Sequence, residues 1–362
     1  MTDRSAAAGK VAAVVANWYP RFLANGIDWF DLTRTLEAVD DWADWADAWT
    51  ATADRYEALG RTALDAGHRV TAAEHLRRAA LTLQFAQFAL TEEPQRRAAL
   101  QARMSAVYAR AAPLLDPPAR PVRVPYGDGC TALGYLRLPS GVDRPGLAVL
   151  LPGLESTKEQ FSTYEPYFLR RGVATLSMEG PGQGEGALST PFRTDRYAQA
   201  MAAVGRTIGM LAGVDAGRVV VVGTSFGGHL ALAHAGAFPG LRGVVDIAGP
   251  YDLRAFAELQ EVTREGLRDF VGAADQAQAR DLLADVTLDG VLERTGQPVL
   301  VVHGERDPII DVSHAHRIAE VLGGRATVRL EPDGNHSCNN LATVVRPAVA
   351  DWVTDRLGSA HD

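Results

Sequence analysis

Five short apolar, β-branched runs, each leading into glycine or proline, constrain this chain most. They are LAVLLPG at 147–153, VATLSMEGPG at 173–182, RVVVVGTS at 218–225, RGVVDIAGP at 242–250 and PVLVVHG at 298–304. Near-continuous apolar runs of this length suit parallel strands buried on both faces. Helical patterns such as TDRYAQAMAAVGRTIGML and SHAHRIAEVLG lie between them. Strand alternating with helix predicts an α/β fold, a doubly wound, mostly parallel sheet whose chemistry sits beyond the carboxyl ends of the strands.

The first third of the chain differs. Up to about Ala112 it is rich in Ala, Leu, Arg and Glu and reads as helices throughout. In TAAEHLRRAALTLQFAQFAL, residues 71–90, Ala73, Leu76, Ala80, Leu83, Ala86 and Leu90 recur three and four apart, which predicts an amphipathic helix. Thr71 followed by Glu74 predicts a capping box at its start. The stretch AAPLLDPPARPVRVP then carries five prolines in fifteen residues. Proline stops a helix and disfavours it one residue earlier, so a boundary near Pro117 is expected, giving domains 1–116 and 117–362.

With 362 residues, 47% hydrophobic and 22% charged, the chain is globular and long enough for two packed units. A net charge of -8 without a Lys/Arg block argues against nucleic acid as a partner. No run approaches the roughly 20 apolar residues needed to span a bilayer, and Lys10 interrupts the small apolar stretch near the N-terminus, so a cytoplasmic location is expected. Cys130 and Cys338 form neither a disulfide framework nor a metal-ligand spacing. Cys338 reads as a packed, inert thiol.

The sharpest chemical signal is Gly223-Thr224-Ser225-Phe226-Gly227-Gly228, between the run RVVVV and the helical stretch HLALAHAGAF. A G-x-S-x-G at a strand-to-helix turn is the context in which glycines relieve crowding and leave the serine hydroxyl exposed. A serine hydroxyl needs a positioned base, and His336, in the loop EPDGNHSCNN after the last apparent strand ATVRL, falls in the right chain order. His303 and His229 read as packing residues. The acid is expected after the penultimate strand, where Asp307 in HGERDPII holds the imidazole tautomer; Asp311 and Asp252 are its competitors. Backbone N–H groups of Phe226 and of Leu154 or Glu155, in LPGLES, are the expected oxyanion donors. Glu155 stands at the mouth of the expected site, where it could transfer a proton. Five of the six tryptophans, Trp18, Trp29, Trp42, Trp45 and Trp49, fall in the N-terminal part. Helix packing explains each singly, while together they suggest an aromatic lining with Trp18 and Trp29 against substrate.

Several long segments, among them TAAEHLRRAALTLQFAQFAL, AAPLLDPP, PGLESTKEQF, EGPGQGE, GTSFGG and DGNHSCNN, make the chain resemble 2,6-dihydroxypseudooxynicotine hydrolase-like α/β-hydrolases almost end to end. That group includes fungal pigment-pathway hydrolases that shorten polyketide chains. The resemblance implies an α/β-hydrolase fold with an N-terminal all-helical cap, a homodimer, and hydrolysis of a C–C bond next to a ketone. It matches Ser225, Asp307 and His336 to the family triad and Glu155 to a further active-site glutamate. Two departures stand near the site: Glu179, read as a substrate-binding residue, where the family carries aspartate, and Pro152 where it carries glycine.

The expected chemistry is attack of Ser225 on a carbonyl, loss of a stabilised carbanion that His336 or Glu155 protonates, and hydrolysis of the acyl-enzyme by water, with no metal or cofactor required. An esterase, thioesterase or acyl-transferring cyclase would use the same triad. A silent ligand-binding protein is the reading from another class, and an intact triad speaks against it.

Overall fold

The computed structural model describes residues 11, 15–16, 18–88, 90, 93–127, 129–187 and 189–358; Lys10 and the residues before it lie outside that set. The chain divides into two compact units, Met1–Arg120 and Pro121–Asp362.

The first unit is helical. Its main helices are Trp29–Leu36, Trp42–Asp65, Arg69–Ala86 and Pro94–Ala111. The third begins two residues before the predicted start: its N-cap is His68, which makes no side-chain cap bond, so the expected Thr71/Glu74 capping box is absent. The reason is the preceding turn, where Gly67 at φ 78° redirects the chain and puts Thr71 inside the helix. A true capping box occurs instead at Asp41, whose side chain and that of Asp44 reciprocally take the first backbone N–H groups of Trp42–Asp65. The core of this unit is aromatic: Phe22, Trp45, Trp49 and Phe85 are buried and ring-packed, and the Trp45 indole donates to the Phe85 carbonyl at 2.8 Å.

The second unit is built on one eight-stranded sheet: β1 Ala119–Tyr126, β2 Cys130–Arg137, β3 Leu147–Leu151, β4 Ala174–Glu179, β5 Val219–Thr224, β6 Leu241–Ile247, β7 Val299–Gly304 and β8 Ala326–Glu331. The spatial order is β1-β2-β4-β3-β5-β6-β7-β8. From β4 to β8 all neighbours are parallel, while β2 runs antiparallel to β4. The five runs read from the sequence are β3 to β7. Every residue of β3 and β7 is buried, as expected of strands covered on both faces. The edge strand β1 contains Pro121 and Pro125, which a strand with one unpaired side tolerates.

Side chains alternate between two cores. Val219 and Val221 pack with Met201 and Leu230 on one face of the sheet, and Val220 and Val222 pack with Phe168 and Val349 on the other. No helix among the described residues is long and apolar enough to cross a membrane.

Candidate active site

Ser225 follows β5 directly and caps the helix Phe226–Ala233. Its backbone sits at φ 56°, ψ −132°, a conformation that costs a non-glycine residue about 1–3 kcal/mol. The surroundings over-determine it. The Ser225 N–H donates to the Ile247 carbonyl at 2.7 Å, and the Gly228 N–H donates to the Ser225 carbonyl at 2.7 Å. The turn presses against the end of β3: a Cβ on Gly227 would stand 2.2 Å from the Leu151 carbonyl oxygen. Here glycine is required by close approach of two backbones, the reason behind the G-x-S-x-G spacing.

Asp307 and His336 come from the turns after β7 and β8. Those turns are pinned together where Gly304 meets Gly334, since a Cβ on Gly304 would lie 2.3 Å from the Gly334 carbonyl oxygen. The Arg306 N–H also donates to the Gly334 carbonyl at 3.0 Å. The His336 loop is knit internally: Asn340 and Asn335 exchange side-chain-to-backbone bonds at 2.9 and 3.2 Å, and the Asn339 side chain donates to the His336 carbonyl at 2.9 Å.

The result is one continuous chain of hydrogen bonds. His336 Nδ1 lies 2.8 Å from Asp307 Oδ2, and His336 Nε2 lies 2.8 Å from Ser225 Oγ. A carboxylate only accepts, so Nδ1 carries the proton and Nε2 offers its lone pair to the serine hydroxyl. Asp307 Oδ1 accepts from the Ile309 and Ile310 N–H groups at 2.8 and 3.0 Å. Burial pushes this carboxyl up, but His336 and the two backbone donors outweigh burial and hold it below the usual carboxylate range. Asp311 instead accepts from the Ser313 N–H, and Asp252 pairs with Arg317.

His303 and His229 are buried packing groups. His303 is fully buried and its Nε2 lies 2.9 Å from the Ile310 carbonyl, while burial lowers its pKa and keeps the ring neutral. His229 is buried against Phe226, its Nδ1 3.0 Å from the Pro250 carbonyl, and burial pushes its pKa down to about 4. The Cys338 thiol is buried and pushed up to about 12, chiefly by that burial, which leaves it un-ionised.

The loop after β3 runs beside the nucleophile. A Cβ on Gly153 would stand 3.0 Å from Ser225 Cβ and 3.4 Å from its Oγ, which brings the neighbouring Leu154 into the vicinity of the serine. Phe226, as the first residue of its helix, has an N–H with no partner inside the helix. Glu155 is half-buried, with Oε1 against Gly266 of the helix Glu261–Phe270.

Of the three sequence-predicted substrate contacts, Glu179 belongs to the second unit and Trp18 and Trp29 to the first. Glu179 is buried, and its carboxylate accepts from the Lys158 N–H at 2.9 Å, from Lys158 Nζ at 3.0 Å and from the Glu185 N–H at 3.4 Å. Its oxygens are thus committed to the protein, which corrects the reading of Glu179 as a substrate ligand. Burial pushes the Glu179 carboxyl up to about 7, with Lys158 opposing. Lys158 is also buried; burial alone would lower its pKa, but Glu159, Glu179 and Glu185 hold it well above its ordinary value. Trp18 is a core residue of the N-terminal unit, in edge-on contact with Phe22, Trp45 and Phe88, so packing accounts for its ring. Trp29 is 53% exposed and tilted against Tyr19.

Gln183, in the segment EGPGQGE, was not singled out from the sequence. It is buried; its Nε2 donates to the Pro152 carbonyl at 2.6 Å and reaches the Gly153 carbonyl at 3.4 Å. Its Oε1 accepts from the Gly180 N–H at 2.9 Å and the Tyr197 hydroxyl at 3.2 Å. A polar side chain among glycines just after a buried strand was the available signal.

A strained serine between strand and helix, with an aspartate and a histidine delivered from the turns after the last two strands, β7 and β8, defines a hydrolase of the α/β class. The chain belongs to the α/β-hydrolase family, whose profile matches residues 148–347; a second, described as esterase FrsA-like, matches residues 39–244. It is 32% identical over 344 residues to 2,6-dihydropseudooxynicotine hydrolase of Paenarthrobacter nicotinovorans, covering 94% of this chain and 92% of that protein. The crystal structure of 2,6-dihydroxy-pseudo-oxynicotine hydrolase superposes with a TM-score of 0.85 at 30% identity, covering 94% of this chain and 95% of the other. The α/β hydrolase pydG of an Acremonium species is 30% identical over 213 residues, 54% of this chain and 49% of that protein. The chain therefore spans about half the length of that fungal relative.

Proposed function

We propose that this hydrolase cleaves a C–C bond next to a ketone in an aromatic or polyketide-like small molecule, through an acyl-enzyme on Ser225. The observation that carries the nucleophilic part is the 2.8 Å contact of His336 Nε2 with Ser225 Oγ, backed by Asp307 on the other ring nitrogen. His336 takes the hydroxyl proton as Oγ attacks the carbonyl, and the Phe226 and Leu154 N–H groups receive the oxyanion. The departing carbanion is protonated by His336 or Glu155, and water then attacks the acyl-enzyme with His336 as base. The C–C preference is supported by likeness over nearly the whole chain to a hydrolase of 2,6-dihydropseudooxynicotine. On the same resemblance we assign the N-terminal unit a cap and substrate-binding role, and the protein a cytoplasmic homodimeric state.

Ester or thioester cleavage is the second reading, favoured by the esterase FrsA-like match over residues 39–244. Intact-mass analysis of wild type and Ser225→Ala after a fluorophosphonate, followed by turnover of aryl β-diketones beside aryl esters, tests both. Labelling of wild type alone with faster diketone turnover is expected. Faster ester turnover would establish the second reading, and equal labelling of both proteins would refute the assignment of Ser225.

A further inference from the structure

Gln183 holds the loop that flanks the nucleophile. Both of its amide ends have fixed identities. The Gly180 N–H can only donate, so the atom facing it is Oε1, and the Pro152 and Gly153 carbonyls can only accept, so the atom facing them is Nε2. The Tyr197 hydroxyl, buried on the helix Thr194–Ile208, adds a second bond to Oε1 and keeps the amide from rotating.

The consequence lies in peptide geometry. In a planar trans peptide the C=O and the N–H of one unit point in opposite directions. The Pro152 carbonyl shares its peptide with the Gly153 N–H, and the Gly153 carbonyl shares its peptide with the Leu154 N–H. Gathering two successive carbonyls onto one side-chain NH2 turns both N–H groups away from Gln183. Gly153 is also the residue that abuts Ser225.

We propose that Gln183 is a positioning residue, which sets the peptide planes at Gly153 and Leu154 and so aims the Leu154 N–H at the oxyanion formed on Ser225. This rests on the serine-hydrolase reading above. It assigns a task to a buried amide whose four partners would otherwise be explained by folding alone.

The charge of the side chain separates the two explanations. Gln183→Glu keeps the shape but sets a carboxylate oxygen against two carbonyls, which favours turning the loop peptide over. Protonation restores a donor to the Pro152 carbonyl. Gln183→Met keeps the length with no donor at any pH.

The test is steady-state hydrolysis of p-nitrophenyl acetate by full-length wild type, Gln183→Glu and Gln183→Met between pH 5.5 and 8.5, with melting curves for each. At pH 8 kcat should fall about 10²- to 10³-fold in Gln183→Glu, the range expected for loss of one oxyanion donor, with KM within about threefold of wild type. The ratio of Gln183→Glu to wild-type kcat should then climb at least tenfold as pH falls, while the Gln183→Met ratio stays flat. A kcat within threefold of wild type at pH 8, or a loss in Gln183→Glu with no dependence on pH, would overturn the proposal. Because Gln and Glu share a shape, the pH profile of Gln183→Glu decides even where Gln183→Met unfolds. Turnover by wild type with a silent Ser225→Ala keeps the serine-hydrolase reading intact whichever way Gln183 behaves.

Discussion

Replacing Asp307 by Asn exchanges one carboxylate oxygen for an NH2, and the structure dictates which one. Oδ1 accepts from the Ile309 and Ile310 N–H groups, and Oδ2 faces His336 Nδ1. An Asn that kept its oxygen on the two backbone donors would turn its NH2 toward His336. The ring would then present a bare Nδ1 and carry its proton on Nε2, the nitrogen that must accept from Ser225. The opposite rotamer would aim an NH2 at the two N–H groups that face the buried Asp307 side chain, and each polar group left unsatisfied in a buried place costs about 1–3 kcal/mol. Two such groups disfavour the productive rotamer by at least about 2 kcal/mol, so about one molecule in thirty holds a competent tautomer before any loss of charge is counted. Loss of the carboxylate that stabilises imidazolium adds to this, and the whole is expected to reach about 10⁴ in kcat, or about 5 kcal/mol of barrier. Ester hydrolysis and fluorophosphonate labelling rates, measured on a variant whose melting curve shows it folded, read the effect. A fall of less than tenfold would mean that His336 draws neither its tautomer nor its charge from Asp307.

Two further predictions concern buried charge. Asp246, on β6 behind the nucleophile turn, is fully buried, accepts from the Gly249 N–H at 2.8 Å, and is pushed up to about 8 by burial. A raised carboxyl favours the folded state at low pH and loses that contribution as pH rises from the ordinary carboxylate range through about 8. The stability of Asp246→Asn relative to wild type should therefore increase between pH 5 and 8, by at most about 1.4 kcal/mol per pH unit, in urea unfolding; a constant difference would contradict it. Arg137 Nη1 lies 2.9 Å from Glu165 Oε2 with both side chains buried, and Glu165 Oε1 also accepts from the Ser177 hydroxyl at 3.1 Å. Arg137→Met strands that carboxylate and should cost about 3–5 kcal/mol by urea titration, with Arg137→Met/Glu165→Leu recovering part of the loss; an unchanged midpoint for the single variant would refute it.

What was legible in the sequence follows from how local its cause is. The strands β3 to β7 announce themselves because burial on both faces leaves mostly apolar residues, with few polar exceptions such as Glu179, Asp246 and His303. Ser225 is legible because its strained turn forces glycines at fixed spacing, and Asp307 and His336 because each follows a recognisable strand. β1 and β2 were not read: β1 mixes prolines with exposed residues, as an edge strand can, and its burial alternates irregularly. The capping box was misplaced because Thr71 and Glu74 satisfy the local rule, while the turn at Gly67 had already started the helix. Gln183 and Lys158 stayed hidden for a different reason. The bonds that tie them to another loop reach 21 residues for Lys158 to Glu179 and 31 for Gln183 to Pro152, and no periodicity marks a side chain whose role is to hold another loop.

Those long-range bonds also give the Glu179 departure a physical sense. The loops after β3 and β4 are joined twice, by Gln183 on the Pro152 and Gly153 carbonyls and by Glu179 on the Lys158 N–H and Nζ. Glu155 lies between these two clamps, so both ends of its segment are fixed before any substrate arrives. The glutamate at 179 spans the Lys158 N–H, the Lys158 ammonium and the Glu185 N–H at once. Aspartate, one methylene shorter, would draw its carboxylate back toward β4 and give up part of that set. The Lys158 ammonium, shared with Glu159 and Glu185, is what keeps so many carboxylates tolerable in a buried place. On this argument position 179 acts on the site through the backbone it holds, and a change there should alter turnover through the placement of Glu155 and Leu154, not through a lost substrate contact.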